Sequence, residues 1–200
     1  MIWAVLLGYL IGSIPSADVI ARRSGHDLRS AGSRNPGTAN ALRVAGRKVA
    51  AIVLAIDIAK GATSVLVGSA LAGAAGSVGA GVAAVAGQVL NPWFRFKGGK
   101  GLGVTAGVTA VAWPPGLLVV LPFAAGGAKF LRAAGGAILG LIAYLFGAIL
   151  WAENDWATPW GAPTDDGLVW LAIGVAALTA PRFIGDLTRS RRIDTGRLSE

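Results

Sequence analysis

The chain has no cysteine, one histidine (His26), one methionine and two tyrosines in 200 residues. Without thiols there is no disulfide scaffold, no cysteine nucleophile and no thiolate metal site. A single imidazole also leaves too little material for a zinc site or a His-driven dyad. Charge is scarce as well: 14% of residues are charged against 54% hydrophobic, with a mean hydropathy of +0.63. That balance is foreign to a water-soluble domain. Lipid is the expected solvent for most of the chain, and the expected class is an all-α integral membrane protein, because a helix satisfies its own backbone.

What charge there is runs to a net +8, and its distribution points away from nucleic acid. Met1 to about Ile20 is apolar with Arg22-Arg23 behind it, the reverse of a secretory signal, so a retained first helix is expected. Further apolar runs span about 49–70, 71–90, 102–112, 116–125, 135–151 and 167–180. Of the 18 Lys and Arg residues only Lys60 falls inside a run, and the other 17 alternate to one side. The positive-inside rule then gives seven crossings, N-terminus outside and C-terminus cytoplasmic. The loop between residues 153 and 166 carries Glu153, Asp155, Asp165 and Asp166 and no base. The whole chain reads as one membrane domain, 1–200, with a short basic cytoplasmic tail over 182–200.

Inside the second run, Asp57 and Lys60 stand three apart, on one helix face, and are expected to pair facing protein. Gly76, Ala80 and Ala84, and later Gly136 and Gly140, give the small-residue spacing that lets helices approach closely.

Two polar segments carry candidate chemistry. Phe96-Lys97-Gly98-Gly99-Lys100-Gly101 is a doubly basic glycine turn between apolar runs. Consecutive glycines let backbone N–H groups converge on an anion, and Lys97 and Lys100 add charge, so a phosphate is the natural guest. It lacks the P-loop spacing, and a turn that only fixes topology would need the lysines but not Gly98, Gly99 and Gly101. The second segment runs from Ser30 to Arg43 and holds Ser33, Asn35, Gly37, Thr38, Asn40 and Arg43. Hydroxyls, carboxamides and a guanidinium suit a small polyol phosphate; ordinary turn chemistry before a helix accounts for Asn-Pro-Gly and Ser equally well.

Together with Gly8-Tyr9-Leu10-Ile11-Gly12-Ser13-Ile14-Pro15-Ser16-Ala17 and Asp57-Ile58-Ala59-Lys60-Gly61, these motifs, in order and interval, resemble the acyl-phosphate-dependent glycerol-3-phosphate acyltransferase family of bacteria. The resemblance implies a seven-helix enzyme of the bacterial inner membrane, active on its cytoplasmic face. The implied reaction moves a fatty acyl group from acyl phosphate to the 1-hydroxyl of glycerol 3-phosphate, the first acylation of phospholipid synthesis. By position it implies catalytic roles for Ser33, Arg43 and Lys100. Asn35, Gly37, Thr38, Asn40, Lys97, Gly98, Gly99, Gly101 and Asp186 are implied substrate contacts. No cofactor and no metal are implied; the partners are the two substrates and membrane lipids, with no nucleic acid, and the oligomeric state, a monomer included, stays open. The chain departs from the family pattern at Gln88 and Phe183, where His is usual, at Asp186, where Asn is usual, and at Arg34, where Gly is frequent. A divergent paralogue with another acceptor or without activity, a small anion transporter or channel, and a non-catalytic lipid- or partner-binding module stay open as alternatives.

Overall fold

Apolar chain in lipid must close its hydrogen bonds within each segment, and every regular element among the described residues is helical. The computed structural model describes residues 1–154, 156 and 166–196. In order come α1 (Ile2–Ser13), α2 (Ser16–Arg23), α3 (Thr38–Val44), α4 (Gly46–Val89), a 3-10 turn at Pro92–Phe94, α5 (Leu102–Ala112), α6 (Pro114–Glu153) and α7 (Asp166–Gly196). Pro15 separates α1 from α2 by forcing Ile14 into extended backbone (φ −53°, ψ 122°).

Two of the long helices are hairpins. In α4, Ala72 and Gly73 leave helical geometry, and Gly73 adopts φ +60°, ψ −147°, a conformation open to glycine alone. The limbs fold back so that Gly68 lies against the Gly76 carbonyl and the Lys60 ammonium reaches Gln88, 28 residues on, at 2.8 Å. In α6, Gly127 lies against Gly136, although nine residues of straight helix would separate them by about 13.5 Å. Among the described residues, five stretches are long and apolar enough to cross a membrane: Ile2–Arg23, Gly46–Phe94, Pro114–Leu131, Ala133–Glu153 and Asp166–Thr188. The 49-residue stretch among them holds the α4 hairpin and the 3-10 turn that follows it. α5, at 11 residues, is about 16.5 Å long, little more than half a bilayer core.

The sequence boundaries need one correction: the short run at 116–125 belongs to a longer limb, Pro114–Leu131. α7 runs on as helix into the basic tail as far as Gly196, and the polar segment between Arg22 and Lys48 holds the end of α2, α3 and the start of α4. Of the acidic loop, Asp155 and Asp165 lie outside the described residues.

Small residues set the helix spacing. Gly8 and Gly12 of α1 rest on the backbone of Ala80 and Ala84, Gly61 of α4 rests on Val104 of α5, and Gly107 of α5 rests on Ile58. The main core joins Val85, Val108, Trp113, Tyr144, Leu171 and Val175. A second, smaller core of Ala17, Ala21, Leu28, Ala41 and Val53 lies under the polar segment and carries it. Large apolar side chains face outward, Leu118 and Phe130 each at 78% exposure, as a lipid-facing surface requires.

Because a Cβ on Gly12 would collide with the Ala84 backbone, Gly12→Val is expected to lower stability by at least about 1–3 kcal/mol, read as a fall in the thermal midpoint in detergent. Gly126→Ala, whose added methyl meets nothing within 4 Å, leaves the midpoint unchanged.

Candidate functional site

The site begins with how the polar segment is held. Asn40, 1% exposed on α3, donates through Nδ2 to the carbonyls of Leu28 (2.9 Å) and Ala31 (3.1 Å), while its Oδ1 accepts the Ser33 N–H (2.8 Å). One carboxamide thereby closes the loop over residues 28–33. Within it, Asp27 accepts the Arg29 N–H at 2.9 Å, a bond that holds its carboxyl below the usual range. The loop then turns at Arg34, whose φ of +58° costs roughly 1–2 kcal/mol for a residue with a side chain. Arg29 itself pairs with Asp18 of α2 (2.8 Å), stacks 3.4 Å over the Phe94 ring and donates to the Lys97 carbonyl (3.2 Å).

The lysine turn is fastened from the other side. Asn91 donates to the Ser13 carbonyl (2.8 Å), and Tyr9 donates its hydroxyl to the Leu90 carbonyl (2.7 Å). The Gly98 N–H donates to Val89 O (3.1 Å) and the Gly99 N–H to Gln88 O (3.0 Å). These two glycines therefore do not form the anion nest expected of them: their donors are engaged, and their missing side chains let the turn press on α4 and on Pro36. The N–H groups of Lys100 and Gly101 have no partner among the described residues. They open onto α5, where Gly101 takes φ +83°. The donors available to an anion thus lie one step later, at a helix N-terminus.

Beneath the turn lies a buried charge cluster. The Lys60 ammonium, 4% exposed, bonds Asp57 Oδ1 (2.8 Å), Gln88 Oε1 (2.8 Å), Ile14 O (2.9 Å) and Ser16 Oγ (3.1 Å), and the Ser16 hydroxyl donates to Asp57 (2.7 Å). This is the expected pair facing protein, with Gln88 added from the second limb of α4.

Two polar cavities flank Lys100. A narrow one, about 300 Å³, is lined by Asn35, Gly37, Thr38, Asp57, Gln88, Lys100 and Gly101 among others. A wider one, about 600 Å³, is lined by Ser33, Asn35, Lys97, Gly98, Asp186 and the guanidinium-bearing Arg29, Arg34 and Arg182, again with Lys100. Leu102 also lines the narrow cavity and reaches a third, apolar cavity of about 310 Å³, bounded by Leu117, Val120, Leu121, Leu141 and Tyr144. Of the candidate residues, Asn40, Gly99 and Arg43 line neither polar cavity. Arg43 is exposed on α3, one turn beyond Ala39, which does line the narrow one. Lys100 pairs with Asp186 and lies 5.0 Å from the Phe183 ring centroid.

Sequence reasoning had not assigned Arg29, Arg182 or Asp57 to the site, and had marked Gln88 only as a departure from the family pattern. Arg182 donates to Val89 O at 2.8 Å, from a position marked in the sequence only as the first base after the last apolar run. Asp57 was legible as a partner for Lys60 but not as part of a cavity wall.

A family model described as glycerol-3-phosphate acyltransferase matches residues 2–192. Among curated relatives, the glycerol-3-phosphate acyltransferase of Agrobacterium fabrum is 44% identical over 122 residues, which is 60% of this chain and 58% of that protein. The one from Synechococcus sp. strain JA-3-3Ab is 45% identical over 116 residues, 57% of each chain. The matched part thus spans less than three-fifths of either relative's length. The crystal structure of PlsY, an integral membrane glycerol 3-phosphate acyltransferase, in its glycerol 3-phosphate form superposes with a TM-score of 0.82 at 28% identity, covering 98% of this chain and 92% of that one.

Removing the ammonium from the buried cluster leaves the Asp57 carboxylate without its counter-charge. Lys60→Met is expected to cost about 3–5 kcal/mol in unfolding free energy, and adding Asp57→Asn recovers much of that loss. Equal midpoints for the single and double variants would contradict the pairing.

Proposed function

The chain belongs to the glycerol-3-phosphate acyltransferase family, and from that premise we propose that it transfers a fatty acyl group from acyl phosphate to the 1-hydroxyl of glycerol 3-phosphate. The products are lysophosphatidic acid and inorganic phosphate, which places the enzyme at the first acylation of phospholipid synthesis. The observation that carries this reading is Lys100, which borders both polar cavities, so that one ammonium can serve two phosphate-bearing substrates at once.

The chemistry suits such a site. An acyl phosphate is a mixed anhydride and already activated, so catalysis consists of bringing two anions together and stabilising charge as phosphate departs. The donor fits the narrow cavity: its phosphate meets Lys100 and the N-terminus of α5, and its chain continues past Leu102 into the apolar cavity. The acceptor fits the wide cationic cavity, with Ser33 and Asn35 near its hydroxyls and Lys97, Arg34 and Lys100 near its phosphate. The 1-hydroxyl oxygen attacks the acyl carbonyl, the bond to the phosphate oxygen breaks, and the hydroxyl proton passes to the departing phosphate. Ser33 orients the acceptor. Arg43, following Leu42 of the narrow cavity on α3, reaches a substrate phosphate from the rim. Asn40 acts through the loop it closes.

In the membrane, α1, the two limbs of α4, α5 together with the segments that flank it, the two limbs of α6 and α7 make seven crossings of the bacterial inner membrane. The N-terminus lies outside and the C-terminus in the cytoplasm. The site then faces the cytoplasm, the side to which the bases between Arg22 and Lys48 assign it.

Purified protein in detergent, given palmitoyl phosphate and glycerol 3-phosphate, is expected to release phosphate. Lys100→Met lowers kcat/KM by about 10²–10³-fold, the usual loss when a charge-stabilising donor is removed. Ser33→Ala lowers kcat with the protein still folded; full turnover by that variant would remove Ser33 from the acceptor's path. Release with another polyol phosphate but none with glycerol 3-phosphate would replace the acceptor named here.

A further inference from the structure

The wide cavity has one carboxylate among its lining residues, Asp186, against five cations: Arg29, Arg34, Lys97, Lys100 and Arg182. Two of the five are already engaged. Arg29 is paired with Asp18 and stacked on Phe94, and Arg182 donates to the carbonyls of Val89 and Phe96. Arg34 and Lys97 have no side-chain partner among the described residues. Asp186 bypasses both and pairs with Lys100, the lysine shared with the narrow cavity.

The geometry of that pair has a direction. The Asp186 side chain is 43% exposed and that of Lys100 28%, and both line the wide cavity, so the more exposed carboxylate occupies a contact to the ammonium on the cavity wall. A carboxylate oxygen and a phosphate oxygen make the same charge-assisted bond to an ammonium. A phosphate reaching Lys100 through the wide cavity therefore arrives where the Asp186 carboxylate sits. We propose that Asp186 is a tethered competitor for the phosphate seat on Lys100: it holds the lysine when the cavity is empty, yields it to a phosphate monoester, and takes it back as phosphate leaves.

The physical basis of the exchange is charge. A phosphate monoester carries about −1.5 to −2 at pH 7 and three acceptor oxygens, so it can engage Lys100 together with the unpaired Arg34 and Lys97. The carboxylate brings one charge and is fixed to α7, so it offers Lys100 a weaker but permanent partner. The consequence is a site that binds phosphate less tightly than its cations alone would, and releases it faster. The functional meaning rests on the acyltransfer reading above, but the competition itself is a statement about anion binding and needs no turnover.

The test is equilibrium binding of inorganic phosphate to the purified protein by calorimetry, in wild type, Asp186→Asn and Asp186→Ala. Both variants are expected to bind phosphate roughly two- to fivefold tighter, the range set by a partly exposed ion pair. In a Lys100→Met background the gain from Asp186→Asn disappears. Unchanged or weaker phosphate binding in the Asp186 variants overturns the proposal, as does the absence of phosphate binding in all of them. A gain that persists without Lys100 overturns it too, since the carboxylate would then act through the field of the whole cavity. If phosphate binding shifts as expected while no acyl transfer to glycerol 3-phosphate is found, the competitor stands and the acceptor assignment falls. In an active enzyme the same substitution lowers the KM for glycerol 3-phosphate and the inhibition constant of phosphate together.

Discussion

A buried ammonium accepts very few arrangements of its neighbours, and that of Lys60 has four acceptors drawn from three parts of the chain: Ile14 and Ser16 at the break between α1 and α2, Asp57 on its own helix limb, and Gln88 on the returning limb. In apolar surroundings an unmatched charge costs several kcal/mol, so these segments have to be in register together. The site hangs from this point. The carbonyl of Gln88 and that of Val89 next to it hold Gly99 and Gly98, and Lys100 follows directly. Asn91 returns to Ser13, beside the same break in α1. The position of Lys100 is therefore set by a different lysine, forty residues earlier and buried.

That register is reachable only because the helices come unusually close. Gly8, Gly12, Gly61 and Gly107 each sit on backbone of a neighbouring helix, where side chains would force the axes apart. Lipid offers no hydrophobic drive for such contacts, so packing and the polar cluster have to supply it. The two are complementary: close approach excludes water from Lys60, and the satisfied ammonium fixes which turns of helix face each other.

Much of this was legible in the sequence. Apolar length pointed to the helical class, three-residue spacing to the Asp57–Lys60 pair, and the small-residue periods marked contact faces: Ala80 and Ala84 meet α1, Gly76 meets the first limb of α4, and Gly136 and Gly140 meet the other limb of α6. The glycines of the lysine turn were misread for a physical reason. Glycine is required both where backbone donors converge on a ligand and where backbone presses on backbone, and sequence alone does not show the pressing partner. Here the partner is the end of α4, where Val89 and Gln88 engage the donors of Gly98 and Gly99 across the turn and leave the free ones at Lys100 and Gly101. Asn40 was misread in the same way: a carboxamide in a polar loop looks like a ligand contact, and only the folded loop shows both of its ends engaged. The pairing of Arg29 with Asp18 joins residues eleven apart across a turn, a separation with no periodic signature.

The division of labour among the charges bears on how the acyl-transfer reading proposed above works in a chain with no thiol and a single imidazole. Arg29 and Arg182 tie loops to helices, and Lys60 ties helices to one another. Asp18 and Asp57 are each matched to a base and leave little free negative charge near the cavities. What remains unneutralised is a small positive excess at Arg34, Lys97 and, once Asp186 is displaced, Lys100. Placed in the partly desolvated mouth of a membrane helix bundle, that excess acts at lower effective dielectric than in water. On the proposed reading, that excess gathers two phosphate-bearing molecules that would otherwise repel. An activated acyl donor asks for little more than this meeting and a charge sink for its leaving group, so the burden of the chemistry shifts from reactive side chains to the placement of fixed charge.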